Sequence, residues 1–420
     1  MISEDQLLSA FADVKRNRGA SGIDGVSVEK FAENLHAEIA SLAKELRDWR
    51  YLPKPVRRVE IPKADGKGTR KLGIPCVRDR VVQTSLKKVL EPIFESHFSE
   101  SSYGFRPERN QKMAVQSACE IVQSGKEWVV DIDLAQFFDT LSQDRLIHRV
   151  GLLVEDKRIL RLIGMTLRSG VQVGDHTEPT AQGSTQGSPL SPLLSNVVLD
   201  ELDKELESRG LSFVRFADDA NIFVRSEEAA KRVMASVTKF IERRLRLTVN
   251  KEKSKVALSS SVKFLGFTIV AGTIAISLKS VSRAMEKVRE LIPTNSPIPV
   301  ERTLEKVNSW YRGWSEYFSL TQYPQQLLKI EAHVRRRLRA RIVRQCKRRK
   351  TLYRRLVQRG VKKKSAAQIA YSNKGPWKIS HNAMTKAYPN DWFTSIAGQF
   401  IRSGHNLQHW FPLKRYIRLA

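Results

Sequence analysis

Two short apolar segments of this chain carry aspartates where an ordinary core strand carries none, and no other feature limits the fold as much. The first is Val129-Val130-Asp131-Ile132-Asp133-Leu134; the second runs from Phe213 to Val224 with Asp218-Asp219 at its middle. Both are rich in β-branched and aromatic residues, which favour strands, and the second reads as two strands joined at Ala217-Asp218-Asp219. Adjacent aspartates in an apolar hairpin repel one another and resist desolvation. A divalent cation removes the conflict, and hard oxygen ligands suit magnesium. Turns also select Asp for local reasons, so the pair alone is equally an ordinary turn. The combination carries more. Two strands presenting Asp133, Asp218 and Asp219 have the ligands for a pair of magnesium ions.

Charge says what such a site would act on. Lysine and arginine total 73 against 44 acidic residues, a formal net charge of +29. That balance favours a polyanionic partner, because each phosphate neutralised releases condensed counterions. The charge is also concentrated: Lys329–Lys364 holds 17 Lys or Arg and one acid, Glu331. Within it Leu327, Ile330, Val334, Leu338, Ile342 and Cys346 step by three or four, so one helical stripe packs on a core. Arg335, Arg336, Arg337, Arg339, Arg341 and Arg344 are then expected on the other faces, offered to a nucleic-acid backbone. Calmodulin or membrane binding is the other use of such a helix.

Several classes are excluded. Hydrophobic residues make up 41% of the chain, enough for real cores. The longest charge-free stretch, Pro179–Leu199, is broken by Pro, Gly, Ser and Thr and cannot span a membrane. Met-Ile-Ser-Glu-Asp at the start has acids where a secretion signal needs basic then apolar residues, so a cytoplasmic location is expected. Cys76, Cys119 and Cys346 lie too far apart for a disulfide framework or a CxxC zinc site. The eight histidines form no ligand cluster.

Along the chain, Ser3 caps a helix to about Arg16, and Ser27 caps a long amphipathic helix marked by Phe31, Leu35, Ile39, Leu42, Leu46 and Trp49. Strands are expected at Val56–Ile61 and Thr69–Gly73 around Asp65-Gly66, and helices at Arg78–Phe94 and Glu108–Ser124. Trp128–Leu134 is a strand, Ser195–Arg209 a helix, Leu211–Arg225 the hairpin and Glu227–Leu247 a helix. Strands follow at Val262–Val270 and Thr273–Leu278, and everything after Ser280 reads as helix. Composition shifts from mixed α+β to basic helix near residue 275, where the domain boundary is expected.

The carboxylates have company. Ser184-Thr185-Gln186-Gly187-Ser188-Pro189-Leu190-Ser191-Pro192 lies between them, its glycine allowing close backbone approach and its prolines fixing entry to a helix. Ile61-Pro62-Lys63 and Thr69-Arg70-Lys71 flank a turn and offer cations to a triphosphate. Phe264-Leu265-Gly266-Phe267 reads as an aromatic strand with a central glycine.

These segments, taken in order with Leu72-Gly73-Ile74-Pro75, Tyr103-Gly104-Phe105-Arg106-Pro107, Trp310-Tyr311-Arg312-Gly313-Trp314 and Asn373-Lys374-Gly375-Pro376-Trp377, resemble the reverse transcriptases encoded by bacterial group II introns. The resemblance covers nearly the whole chain, and its length, with no Cys/His endonuclease module, is most similar to the compact class C members. It implies an α+β right-hand polymerase: an N-terminal extension (1–50), fingers and palm with an antiparallel palm sheet (51–275), an all-α thumb or maturase domain (276–350) and a small basic DNA-binding segment (351–420). The implied activity is RNA-directed DNA synthesis with a role in splicing and mobility of an intron RNA. Asp133, Asp218 and Asp219, assisted by the Leu134 carbonyl, would hold two Mg²⁺ ions, with Mn²⁺ as a substitute. Lys63 and Arg70 would grip the deoxynucleoside triphosphate, Gln186 and Gly187 would lie beneath it, and Phe138 would crowd a ribose 2′-hydroxyl. Phe264, Leu265, Gly266 and Phe267 match the primer grip, and Arg106 is the expected nucleic-acid contact of its motif. Asp131 and Asp139 fall outside the metal position. Phe216 and Ser188 depart from the usual tyrosine and glycine of the family. An RNA-binding splicing cofactor with reduced synthesis, or a free-standing enzyme of DNA repair or phage defence, would use the same motifs.

Overall fold

A computed structural model describes residues 3–62, 68–381, 383–390 and 392–393; the expected triphosphate contact Lys63 lies outside the described residues. The chain divides into two units, Met1–Leu258 and Ser259–Ala420.

The first unit opens with the helix Glu4–Arg16, held at its start by a capping box in which Ser3 and Gln6 exchange side-chain and backbone bonds. Its buried face, Leu7, Ala10, Phe11 and Val14, packs on the helix Val77–Glu95. The single helix expected after Ser27 is two, Val28–Glu33 and Leu35–Arg47, because Asn34 leaves helical geometry at φ −118° and ψ 31°. The apolar stripe survives the break, with Phe31, Ile39, Leu42 and Leu46 all buried. Val77–Glu95 is enclosed on more than one side: Val81, Val82, Leu86 and Leu90 are buried, and so are Asp79, Arg80, Gln83 and Ser85. Two of these are paired across elements, Tyr51 donating to Asp79 at 2.7 Å and Arg80 to the Ala20 carbonyl at 2.7 Å.

The strands of this unit are β1 (Val56–Pro62), β2 (Thr69–Ile74), β3 (Trp128–Ile132), β4 (Val171–Val173), β5 (His176–Glu178), β6 (Ser212–Phe216), β7 (Asp219–Val224) and β8 (Lys255–Leu258). One sheet has the order β2-β1-β4-β5, with β4 parallel to β1 at Val56↔Val171. The other has the order β6-β7-β3-β8 and is antiparallel throughout, so the aspartate strand β3 is central. The helix Glu227–Phe240 covers β3, β7 and β8 and then widens into a π-helical turn, Ile241–Leu245. A core running from Leu7 to Val249 joins these layers.

The second unit begins with a hairpin, β9 (Phe267–Val270) and β10 (Thr273–Ile276), turning at Ala271-Gly272, both with positive φ. Helices follow, the longest being Val300–Tyr317 and Pro324–Gln345. The packing boundary therefore falls ahead of the change in composition near 275. The hairpin belongs with the helices because Gln322 and Gln326 bond the backbone of Ile274 and Ile276 at 2.8 Å. One core runs from Ala284 to Phe393, across the expected division at 350/351. Among the described residues, no helix is long and apolar enough to cross a membrane.

Candidate active site

The carboxylates meet because of strand register. In the β6–β7 hairpin Phe216 pairs with Asp219, which leaves Ala217-Asp218 as the turn, Ala217 in left-handed backbone at φ 58°. Ile132 of β3 pairs with Ala220 of β7, so Asp133, the next residue, leaves its strand where Asp219 begins its own. Alternation puts Asp131 on the same face as Asp133 but further from the turn, opposite Asn221. Burial pushes the Asp131 carboxyl up to about 6, opposed by Lys255. Asp139 is exposed on the short helix Phe137–Thr140.

Asp133 is held through its backbone. Its N–H donates to Ser254 Oγ at 3.0 Å and its carbonyl accepts from the Asn250 N–H at 2.8 Å. Ala135 N–H donates to the Thr248 carbonyl at 2.8 Å, so this bridge uses the groups on either side of the Leu134 carbonyl. Lys253 Nζ stands 3.6 Å from Asp133 Oδ2. The Asp218 carboxyl is raised from its ordinary range, first by burial and then by the charge of Asp133, with Arg70 and Arg215 opposing. The charge of Asp133 is thus felt at Asp218, and an all-oxygen donor set fits a hard divalent cation. Among the described residues, no group of three or more His, Cys, Asp or Glu side chains is gathered as a ready-made metal cage.

The turn is braced from behind by groups that sequence reasoning missed. Arg215 and Asp203 form an ion pair with side chains 1% and 0% exposed. Arg215 also donates to Asn196 Oδ1 at 3.0 Å, to Ser102 Oγ at 2.8 Å and to the carbonyl of Ala217 in the turn itself at 2.8 Å. Removing one partner of such a buried pair costs about 3–5 kcal/mol. The available signal was one arginine in the apolar run Phe213-Val214-Arg215-Phe216, a placement that demands a buried anion. Gly104 completes the brace: a Cβ there would lie 2.2 Å from the Ala217 nitrogen, so only glycine admits this approach.

A cleft of about 460 Å³ includes Lys71, Gly73, Gln136, Phe138 and Gln186 in its walls. Phe137 fills the core, and Phe138, edge-on to it at 5.3 Å, is half-buried and faces the cleft. Gly73 N–H donates to the Gln186 carbonyl at 2.9 Å, and Gly187, at φ 115°, lies against the Gly73 carbonyl where a Cβ would come within 2.8 Å. Ser188 ties the loop down, its hydroxyl donating to Gln83 Oε1 at 2.9 Å. Arg70 is exposed on β2, within electrostatic reach of Asp218.

In the second unit, Phe264-Leu265-Gly266-Phe267 is a tight turn rather than a strand. Phe264 and Phe267 exchange backbone bonds at 3.0 and 2.9 Å, while Leu265 (φ 48°) and Gly266 (φ 87°) take left-handed backbone that a strand does not allow. Tyr317 donates to the Leu265 carbonyl at 3.0 Å, and Phe267 packs on Tyr317 and Phe318.

Several of the arginines expected to meet nucleic acid make bonds within the fold. Arg106 is buried, bonded to the Glu95 carboxylate and to the carbonyls of Ser99 and Ser102. Arg341 is buried against Thr303, Ser296 and the Ile298 carbonyl. Arg339 is buried against the Tyr388 carbonyl and Asn390. Arg337 binds the Ile292 carbonyl, Arg335 pairs with Glu331, and Arg336 lies 4.1 Å over the Trp377 ring. Arg336, Arg337, Arg339 and Arg341 turn toward carbonyls, side chains or a ring of distant segments, whereas Arg335 pairs one turn back on its own helix. Arg344 is exposed, as are Lys347, Arg348, Arg349 and Lys350 just after the helix.

The family "Reverse transcriptase (RNA-dependent DNA polymerase)" matches residues 61–269, and "Group II intron, maturase-specific domain" matches residues 281–360. Protein YkfC of Escherichia coli K12 is 32% identical over 313 residues, 64% of this chain and 82% of that one. The chain belongs to the group II intron reverse transcriptase/maturase family. The group II intron-encoded protein LtrA of Lactococcus lactis subsp. cremoris is 32% identical over 265 residues, 63% of this chain but 43% of LtrA. Among solved structures, a chain of a partial Cas6-RT-Cas1--Cas2 complex is 25% identical, with a TM-score of 0.37 over 58% of this chain and 42% of that one. As a group II reverse transcriptase/maturase, the chain joins an RNA-directed DNA polymerase domain of mixed helices and sheet to a maturase domain.

Proposed function

We propose that this chain extends a primer 3′-hydroxyl with deoxynucleotides along an RNA template, and that it assists the splicing and mobility of a group II intron. The observation that carries the reading is the strand register, which places Asp133, the residue after β3, where Asp219 begins β7, next to the Ala217-Asp218 turn. Asp133, Asp218, Asp219 and the Leu134 carbonyl would hold two Mg²⁺ ions, for which Mn²⁺ would substitute. When bound, such ions acidify a 3′-hydroxyl and stabilise the charge on departing pyrophosphate.

The chain's own residues bind and orient. Arg70 and Lys63 would attract the triphosphate, and the Gln186-Gly187 backbone, fixed to Gly73, would support the incoming nucleotide. Phe138, facing the cleft, would exclude a 2′-hydroxyl by size. The Phe264–Phe267 turn would hold the primer, and the helices after β10 would form a thumb. Arg344 and the basic residues that follow it would bind folded RNA through shape and backbone. A cytoplasmic, nucleoid-associated location suits these partners.

Primer extension on an RNA template with Mg²⁺ tests the reading. Asp218→Asn is expected to lose several powers of ten in synthesis while keeping RNA affinity close to wild type, since it removes a metal ligand and no phosphate contact. Parallel loss of binding and synthesis would contradict it.

A further inference from the structure

Phe105 is 48% exposed, yet its backbone is left-handed at φ 59°, a conformation that bulky side chains adopt only under constraint. Its neighbours supply that constraint. On one side, Tyr103 N–H donates to the Arg215 carbonyl at 2.9 Å, and Gly104 presses on the Ala217 nitrogen of the aspartate turn. The Gly104 carbonyl accepts from Asn196 Nδ2 at 2.8 Å, and the Oδ1 of that amide accepts from Arg215 at 3.0 Å. On the other side, the buried Arg106 is anchored to Glu95 and Ser102. The loop is thus bolted to the aspartate hairpin and leaves one apolar ring exposed to solvent.

Folding alone gains nothing from a strained, exposed ring, and such residues concentrate where something outside the fold is held. We infer that Phe105 is a stacking contact for the template–primer at the catalytic turn, its ring lying against a base or sugar of the bound strand. A nucleic acid is the occupant of choice because the loop that carries the ring packs through Gly104 on the Ala217 nitrogen of the aspartate turn, on a chain of net charge +29. Every base offers a π face, so the contact tolerates any sequence, as a polymerase requires. The inference rests on the polymerase reading of Asp133 and Asp218.

The test compares wild type, Phe105→Ala and Phe105→Tyr in steady-state extension of a DNA primer on an RNA template. Equilibrium binding of the same template–primer is measured by fluorescence anisotropy. Phe105→Ala is expected to raise KM for template–primer and its Kd roughly tenfold, within the range for loss of one base–aromatic stack. Its kcat and melting temperature should stay near wild type, and Phe105→Tyr should restore affinity. Wild-type KM and Kd in Phe105→Ala would overturn the inference. So would a loss of melting temperature and kcat together that Tyr does not repair, since that marks a structural residue. If wild type itself fails to extend the primer, the polymerase reading falls, while anisotropy still decides whether Phe105 touches the nucleic acid.

Discussion

Phe137 and Phe138 are chemically identical neighbours with different surroundings. One ring is buried among core residues and the other faces the cleft that Gln186 and Lys71 line. Truncating the second therefore opens space in the cleft and removes packing only at the edge of the core. Phe138→Ala is expected to raise ribonucleotide incorporation relative to deoxynucleotide incorporation by tenfold or more, read as the ratio of kcat/KM values on one template. Unchanged discrimination would assign Phe138 to packing. Arginines show the opposite limit of reading residues from sequence. The helical spacing around Arg335–Arg344 correctly placed the apolar stripe, since Leu327, Ile330, Val334, Leu338 and Ile342 are all buried. It could not show that Arg339 and Arg341 would also turn inward, because their acceptors lie some forty to fifty residues away in sequence. Charge is local information, whereas its neutralisation depends on the fold.

At the scale of elements, the aspartate hairpin was legible because two runs of β-branched and aromatic residues interrupted by Ala-Asp-Asp fit little besides two strands and a tight turn. The structure resolves it into β6 and β7 with a two-residue turn. β8 was not legible. Lys255–Leu258 is only four residues long, half-exposed at a sheet edge, and distinguished by no hydrophobic run. The break at Asn34 and the turn at Leu265-Gly266 were hidden for a different reason: each lies inside a pattern whose average is regular. The Tyr103–Pro107 loop was visible as a motif but not as a buttress, a role that appears only when Gly104 is seen against Ala217. That contact predicts a positional effect. Gly104→Ala places a methyl group where the Ala217 nitrogen sits 2.2 Å away, so the turn bearing Asp218 must shift. A displacement of about 1 Å at a reacting centre can cost roughly a hundredfold in rate. Primer extension should therefore fall by about that factor, with a smaller proportional loss in template–primer affinity; wild-type turnover would show that the turn tolerates movement.

At the scale of the molecule, the positive charge is partly internal cement and partly an exposed surface. Lys347, Arg348, Arg349 and Lys350 are all exposed just after the longest described helix. Replacing the four with Gln is expected to weaken RNA binding similarly across sequences and to flatten the plot of log affinity against log salt by roughly one unit per lost phosphate contact. An unaltered slope would put the RNA on another face.

The sheet order β6-β7-β3-β8 has a consequence for how the chain is made. The middle strand emerges from the ribosome first, ending at Ile132, whereas its two partners end at Val224 and Leu258. Until both arrive, an apolar strand bearing Asp131 waits with two open edges, a template for wrong pairings that non-local sheets share during slow folding. Premature termination before Asn250 would remove β8 and, with it, the Ser254 and Asn250 bonds that hold Asp133. Chains terminated before β8 are thus expected to aggregate rather than to retain partial activity.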